Sequence, residues 1–197
     1  MIDLDKIKQL YKFTKQLNLA DAGELIKAAK TKTFQKREII LSQGSWNNEI
    51  LFVRQGLIRQ YLINDKGEEI TFRFIPENYV MANADVILFQ QASRFHFEAM
   101  EKTKTFSIDY DLVQKIISNN PKLQSNRVHF AQRMMKEMHR RIELFVLYTP
   151  MERYLKFSKE YPEISNRVPD KYIANVLGIT AVSLSRIRAR IADQGSS

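Results

Sequence analysis

The chain has 197 residues, 44% of them hydrophobic, and a formal net charge of +9. At roughly 100–200 residues per domain this length leads us to expect two small domains, and the absence of cysteine excludes disulfides, thiolate zinc sites, cysteine-ligated iron–sulfur clusters and a cysteine nucleophile. No run reaches the roughly 18 apolar residues of a membrane-spanning helix and the acidic start MIDLDKIKQL does not read as a signal peptide, so a soluble, cytoplasmic protein with no membrane partner is expected.

In chain order, residues 3–31 carry Leu4, Ile7, Leu10, Tyr11 and Leu17, then Leu25, Ile26 and Ala29, at the spacing of two helices. From Thr33 to about Ile108 the texture changes to short β-rich runs: REIILSQ, EILFVRQG, LIRQYLIND, EEITFRFI and RFHFEAM. Gly44, Gly56, NDKG and IPEN punctuate them. This predicts a domain of short antiparallel strands. From Asp111 onward the pattern is helical, with Pro121, Pro150, Pro162 and Pro169 as boundaries.

The basic charge sits at the C-terminal end. Residues 121–197 hold 14 Lys and Arg against 7 Asp and Glu, whereas residues 1–120 hold 17 against 15. Such asymmetry suits a polyanion partner, and equally a solvated helix face. Within the helix after Pro121, residues Val128, Ala131, Met135, Met138, Ile142 and Phe145 recur at 3 and 4, the seam of a coiled coil. The seam predicts a homodimer interface, with packing inside one chain as the alternative.

The stretch IANVLGITAVSLSRIRARI carries the strongest functional signal. Ile173, Val176 and Leu177 share one helix face, Ala174 leaves room for a second backbone, and Gly178 can take the left-handed conformation that ends a helix. Thr180 is a good N-cap, and Leu184, Ile187 and Ile191 mark the buried side of a second helix. Two short helices joined by a tight glycine turn make a helix-turn-helix. The second helix presents Ala181, Val182, Ser183, Ser185, Arg186 and Arg190, small or basic and free of acids, which suits a major groove of double-stranded DNA. Thr180 is expected to cap this helix and donate to phosphate. Val182, Ser183 and Arg186 are expected to face base edges, and Lys171 and Arg190 to touch the DNA backbone.

The segment YIANVLGITAVSLSRIRARI resembles the DNA-binding end of the Crp/Fnr family of bacterial transcription regulators, whose usual form is close to IA..LGIS.ETLSRI...L. The run REIILSQGSWNNEILFVRQGLIRQYLINDKGEEITFRF is similar to that family's sensor β-roll, with Gly44, Gly56 and Gly67 at its turns. The resemblance implies an α+β architecture: a β-roll effector domain of jelly-roll type over 1–120, a dimerisation helix over 121–147 and a winged helix-turn-helix over 148–197. It also implies a homodimer on an inverted-repeat operator, a small-molecule effector of unknown identity, and RNA polymerase as a partner.

Two departures shape the expectations. Family members that bind cyclic AMP carry a GEL segment for the ribose and an RS pair for the phosphate, whereas the matching region here, MANADVILFQQASRFHFEAM, has neither. Asp85 stands near the acidic position and Arg94 near that of the arginine, so these two mark the effector pocket, and no cyclic nucleotide is expected to bind. The second departure is at Ala181 and Val182, where relatives place Arg and Glu; the operator should therefore differ from theirs. No cofactor or metal is expected, since His96, His129 and His139 are isolated and lack ligand spacing. Catalysis is not expected either, because the EE at 68–69 and the DYD at 109–111 sit in no catalytic pattern. The rival reading is a β-roll signalling or ligand-binding module that contacts no operator.

Overall fold

The computed structural model describes residues 19–119 and 121–195; the first of the two helices expected over 3–31 lies outside them. Helix α1 (Leu19–Ala28) leads into strands β1 (Lys30–Phe34), β2 (Ile39–Leu41), β3 (Glu49–Gln55), β4 (Ile58–Ile63), β5 (Glu69–Ile75) and β6 (Val80–Met81). A short helix α2 (Ala84–Phe89) interrupts the β region before β7 (His96–Ala99) and β8 (Thr103–Asp109). Five helices follow: α3 (Tyr110–Ser118), α4 (Pro121–Leu147), α5 (Pro150–Glu160), α6 (Ile164–Arg167) and α7 (Asp170–Leu177). The last helix is α8 (Ala181–Gly195).

The strands form two four-stranded antiparallel sheets, ordered β1-β8-β3-β6 and β2-β7-β4-β5. Leu41, Leu51, Val53, Ile58, Ile75, Met81 and Phe97 fill the space between them. Leu51 and Val53 of β3 enter it from one face, as the two-residue period of a strand requires, whereas β4 is buried on both faces from Ile58 to Tyr61. The turn at Gly56 tolerates no other residue. Its φ is +102°, and an added Cβ would lie 2.5 Å from Thr103 Oγ1 and 2.7 Å from Thr103 Cα.

Helix boundaries follow local chemistry. Asp109 caps α3 by accepting from the backbone N–H of Asp111 at 2.8 Å and of Leu112 at 3.1 Å. Thr149 opens α5 with a capping box: Glu152 accepts from the Thr149 N–H at 2.8 Å and Thr149 Oγ1 from the Glu152 N–H at 3.4 Å. The break between α4 and α5 is thus written into the tripeptide Thr149-Pro150-Met151. The wing implied by the resemblance has no counterpart among the described residues, which hold no strand beyond Asp109.

A second core joins the β-roll to the C-terminal helices. Leu57, Phe74 and Met100 pack with Phe157, Ile164, Val168, Ile173, Ala174, Leu177 and Leu184. Polar contacts reinforce this junction. Arg59, only 1% exposed, lies between the rings of Tyr61 and Tyr172, at 3.9 Å and 4.0 Å. Glu98 accepts from its Nη2 at 2.6 Å and Glu69 at 2.7 Å. Arg167 of α6 donates to Glu77 at 2.7 and 3.0 Å and to Glu101 at 2.6 Å. The helix-turn-helix is therefore built against the outer face of the second sheet.

Candidate nucleic-acid interface

The turn between α7 and α8 is set by backbone geometry. Gly178 has φ 65° and ψ 38°, in the left-handed region. Its N–H donates to the Asn175 carbonyl at 2.9 Å and the Ile179 N–H to the Ala174 carbonyl at 3.0 Å, the two bonds of a Schellman ending. A Cβ at this position would fall 2.7 Å from Phe145 Cε1, so glycine answers both to conformation and to space.

Thr180 caps α8 as expected, its Oγ1 accepting from the Ser183 N–H at 3.1 Å. The inner side of α8 places Leu184 and Ile187 in the core, with Ile191 half-buried. Ala181, Val182, Ser185, Arg186 and Arg190 are exposed on the outer side, and the first turn holds no acid. Ser183 departs from the expectation that it faces bases. It is half-buried, and its hydroxyl lies 2.9 Å from Thr180 Oγ1, so it is engaged in the cap. Lys171 is exposed, its ammonium 4.7 Å above the Tyr172 ring, on the helix before the turn.

Arg188 is a structural brace. Its Nη1 donates to both carboxylate oxygens of Asp170 at 2.8 Å and its Nε to the Tyr154 hydroxyl at 3.0 Å. This ties α8 to α7 and α5 and turns Arg188 away from the outer face. Periodicity separates Arg188 from Arg186, but nothing in the sequence pattern announces the Tyr154 contact.

The expected dimer seam divides. Met135, Met138 and Ile142 are 69%, 63% and 62% exposed, and Val146 and Leu147 extend the apolar face. An exposed apolar strip of this kind marks an interaction surface. Phe145 belongs only in part. Its ring packs on the Gly178 turn and lies beneath Arg141 at 5.7 Å and Arg153 at 5.0 Å, which leaves it 39% exposed. The side chains of Val128 and Ala131 lie outside the described residues.

In the effector region Asp85 and Arg94 come together, but on each other. Arg94 donates Nε and Nη2 to Asp85 Oδ1 at 3.1 and 2.8 Å, and its backbone N–H to Oδ2 at 2.8 Å. Burial alone would raise the Asp85 carboxyl; the Arg94 bonds outweigh it and hold it below its ordinary value. An arginine so committed is not a free phosphate clamp. His96 accepts from the Gln43 N–H at 3.3 Å through Nδ1 and stacks on Tyr61 at 5.0 Å, and its pKa is depressed, chiefly by burial. His139 lies 3.3 Å from Glu143. The described residues contain no group of three His, Asp or Glu able to hold a metal, and no helix long and apolar enough to cross a membrane.

Comparison with known proteins agrees with this architecture. Residues 31–120 match the cyclic nucleotide-binding domain. The chain is 27% identical over 176 residues to the anaerobic regulatory protein of Haemophilus influenzae, covering 83% of this chain and 67% of that protein. Among solved structures, FixK2 from Bradyrhizobium japonicum superposes with a TM-score of 0.74 at 19% identity, covering 85% of this chain and 86% of that one. A Crp/Fnr regulator from Eubacterium rectale gives 0.70 at 20%, covering 92% and 86%. The chain spans about two thirds of the length of the anaerobic regulatory proteins it matches. With a β-roll, a long apolar-faced helix and a glycine-turned helix pair in this order, the chain is similar in sequence and in fold to the Crp/Fnr transcription regulators.

Proposed function

We propose that the chain acts as a homodimer on an inverted-repeat operator, with α8 of each copy in the major groove. The observation that carries this reading is the outer face of α8, where Ala181, Val182, Ser185, Arg186 and Arg190 are exposed. Small residues at its start let the helix enter the groove, and the arginines reach guanine edges or phosphate. Arg186 shares the Val182 face and reads a base, whereas Arg190, one turn on, neutralises a phosphate. Lys171 adds a backbone contact from α7, and the N–H groups around Thr180 favour a phosphate at the helix start. The exposed strip of Met135, Met138 and Ile142 supplies the surface on which two copies pair. A dimer then presents two reading helices about 34–36 Å apart, which sets the half-site spacing.

Operator binding across a salt series tests the assignment. Arg186→Ala should cost about 1–3 kcal/mol and relax preference at one base pair in each half-site. Arg190→Ala should weaken specific and non-specific binding alike and lower the salt slope by about one. Loss of sequence preference in Arg188→Ala, with Arg186→Ala unaffected, would overturn the reading face.

A further inference from the structure

Helix α8 begins with an apolar side chain that the fold does not use. Val182 is 61% exposed, whereas Leu184 and Ile187, 0% and 7% exposed, supply the packing of this helix from its other side. Leu184 sits in the cluster with Ile173 and Leu177. Local conformation does not ask for valine at 182 either, since a β-branched residue loses side-chain freedom in a helix and ranks below alanine and the straight-chain residues in helix preference. A lone exposed aliphatic residue is ordinary on a protein surface. Its position gives this one meaning, because the N-terminal residues of the second helix of a helix-turn-helix are those that meet base edges.

The polar groups of the same turn are already committed. Thr180 Oγ1 accepts from the Ser183 N–H at 3.1 Å and lies 2.9 Å from the Ser183 hydroxyl, which is half-buried. The outward side chains of the first turn are therefore Ala181 and Val182, which end in methyl groups only. Such a surface neither donates nor accepts a hydrogen bond. Laid against the major-groove edge of guanine, adenine or cytosine it would bury donors and acceptors without partners, which is costly. Thymine alone of the four bases presents a methyl group there, at C5 beside its O4. The outer face becomes polar only from Ser185 and Arg186 onward.

We propose that Val182 is a specificity-determining residue that selects a thymine in each half-site by packing on its C5 methyl group. The inference rests on the reading of α8 as the helix that enters the groove, and it names what the first turn of that helix recognises. The isopropyl group of Val182 and the methyl group of Ala181 together form the apolar surface that receives the base. The thymine lies within about two base pairs of the base that Arg186 reads, because residues four apart are about 6 Å apart along a helix axis and successive base pairs about 3.4 Å. Selection of this kind works by shape and desolvation, so it does not weaken with salt as the phosphate contact of Arg190 does.

The test removes the methyl group and nothing else. An operator is selected from randomised duplex DNA with the full chain, each thymine of its half-sites is replaced in turn by deoxyuridine, and affinity is read by fluorescence anisotropy at two salt concentrations. We expect one position at which the loss weakens binding by about fourfold per half-site, the worth of one buried methyl group, and by the same factor at either salt concentration. Cytosine placed at that position should bind more weakly than 5-methylcytosine by about the same factor. Val182→Ala should largely abolish both differences while leaving the melting temperature and the salt slope of the native chain unchanged, since the residue is exposed and meets no phosphate. Sequence-specific binding that is indifferent to every thymine methyl, or a methyl effect that persists undiminished in Val182→Ala, overturns this inference and leaves α8 standing as the groove helix. Failure to select any preferred sequence overturns both.

Discussion

Replacing Gly178 with alanine isolates the two demands placed on the helix-turn-helix turn. At φ +65° an L residue is in the left-handed region, which costs about 1–2 kcal/mol. The new Cβ would also sit 2.7 Å from Phe145 Cε1. The ring is held by Arg141 and Arg153, so relief requires shifting a packed side chain, about 1–3 kcal/mol for overpacking. Together the substitution should destabilise the chain by about 2–5 kcal/mol. For a protein of this length that lowers the melting temperature by about 4–20 °C. A double-mutant cycle with Phe145→Leu separates the terms: in that background Gly178→Ala should cost only the conformational share, about 1–2 kcal/mol. Urea denaturation of the four proteins gives the numbers. An identical penalty in both backgrounds would refute the contact with the ring, and a penalty under about 1 kcal/mol in either would refute the left-handed turn.

Three further substitutions probe the molecule elsewhere. Met138→Glu puts a carboxylate on the exposed apolar strip of α4, and burying it unpaired should dissociate the dimer; sedimentation showing the same dimer as the native chain would reject the seam. Tyr172→Leu removes one face of the Arg59 sandwich and should cost about 0.5–2 kcal/mol in chemical denaturation, whereas Tyr172→Phe, which keeps the ring over the cation, should be nearly silent. Arg94→Ala leaves Asp85 buried but without its donor. The depressed Asp85 pKa of the native chain means that its stabilisation is present above the ordinary value of about 3.9 and lost only as pH falls through the lower folded value. In the variant the loss should begin at higher pH, above about 3.9, and an unchanged acid limb in urea denaturation would count against the pairing.

The parts of the fold legible in the sequence are those whose cause is local. The turn at Gly178 and the cap at Thr180 each rest on a conformation that one residue type favours, and both are found where the spacing put them. The strand around Leu51 and Val53 alternates because one face meets the core. Where the cause is distant, the pattern is silent. Strand β1, KTKTF, pairs with β8 along an edge and carries too little apolar alternation to be read as a strand. Helix α2 is six residues long, too short to show a period. Asp85 and Arg94 could be nominated for an effector from their positions, but only the fold reveals that they bind each other. The Arg59 stack joins residues from β4 and α7, and no window of sequence contains both.

These distant contacts suggest how the two ends of the molecule are mechanically joined. Phe145, which packs on the Gly178 turn, lies three residues after Ile142 on α4, less than one helical turn from the exposed strip. A rotation of α4 that reseats Met138 and Ile142 against a second copy must carry the Phe145 ring with it. Because Gly178 has no side chain to yield, that motion is delivered to the backbone between α7 and α8. The other connection runs through the sheet, from Glu98 and Arg59 to Tyr172 on α7.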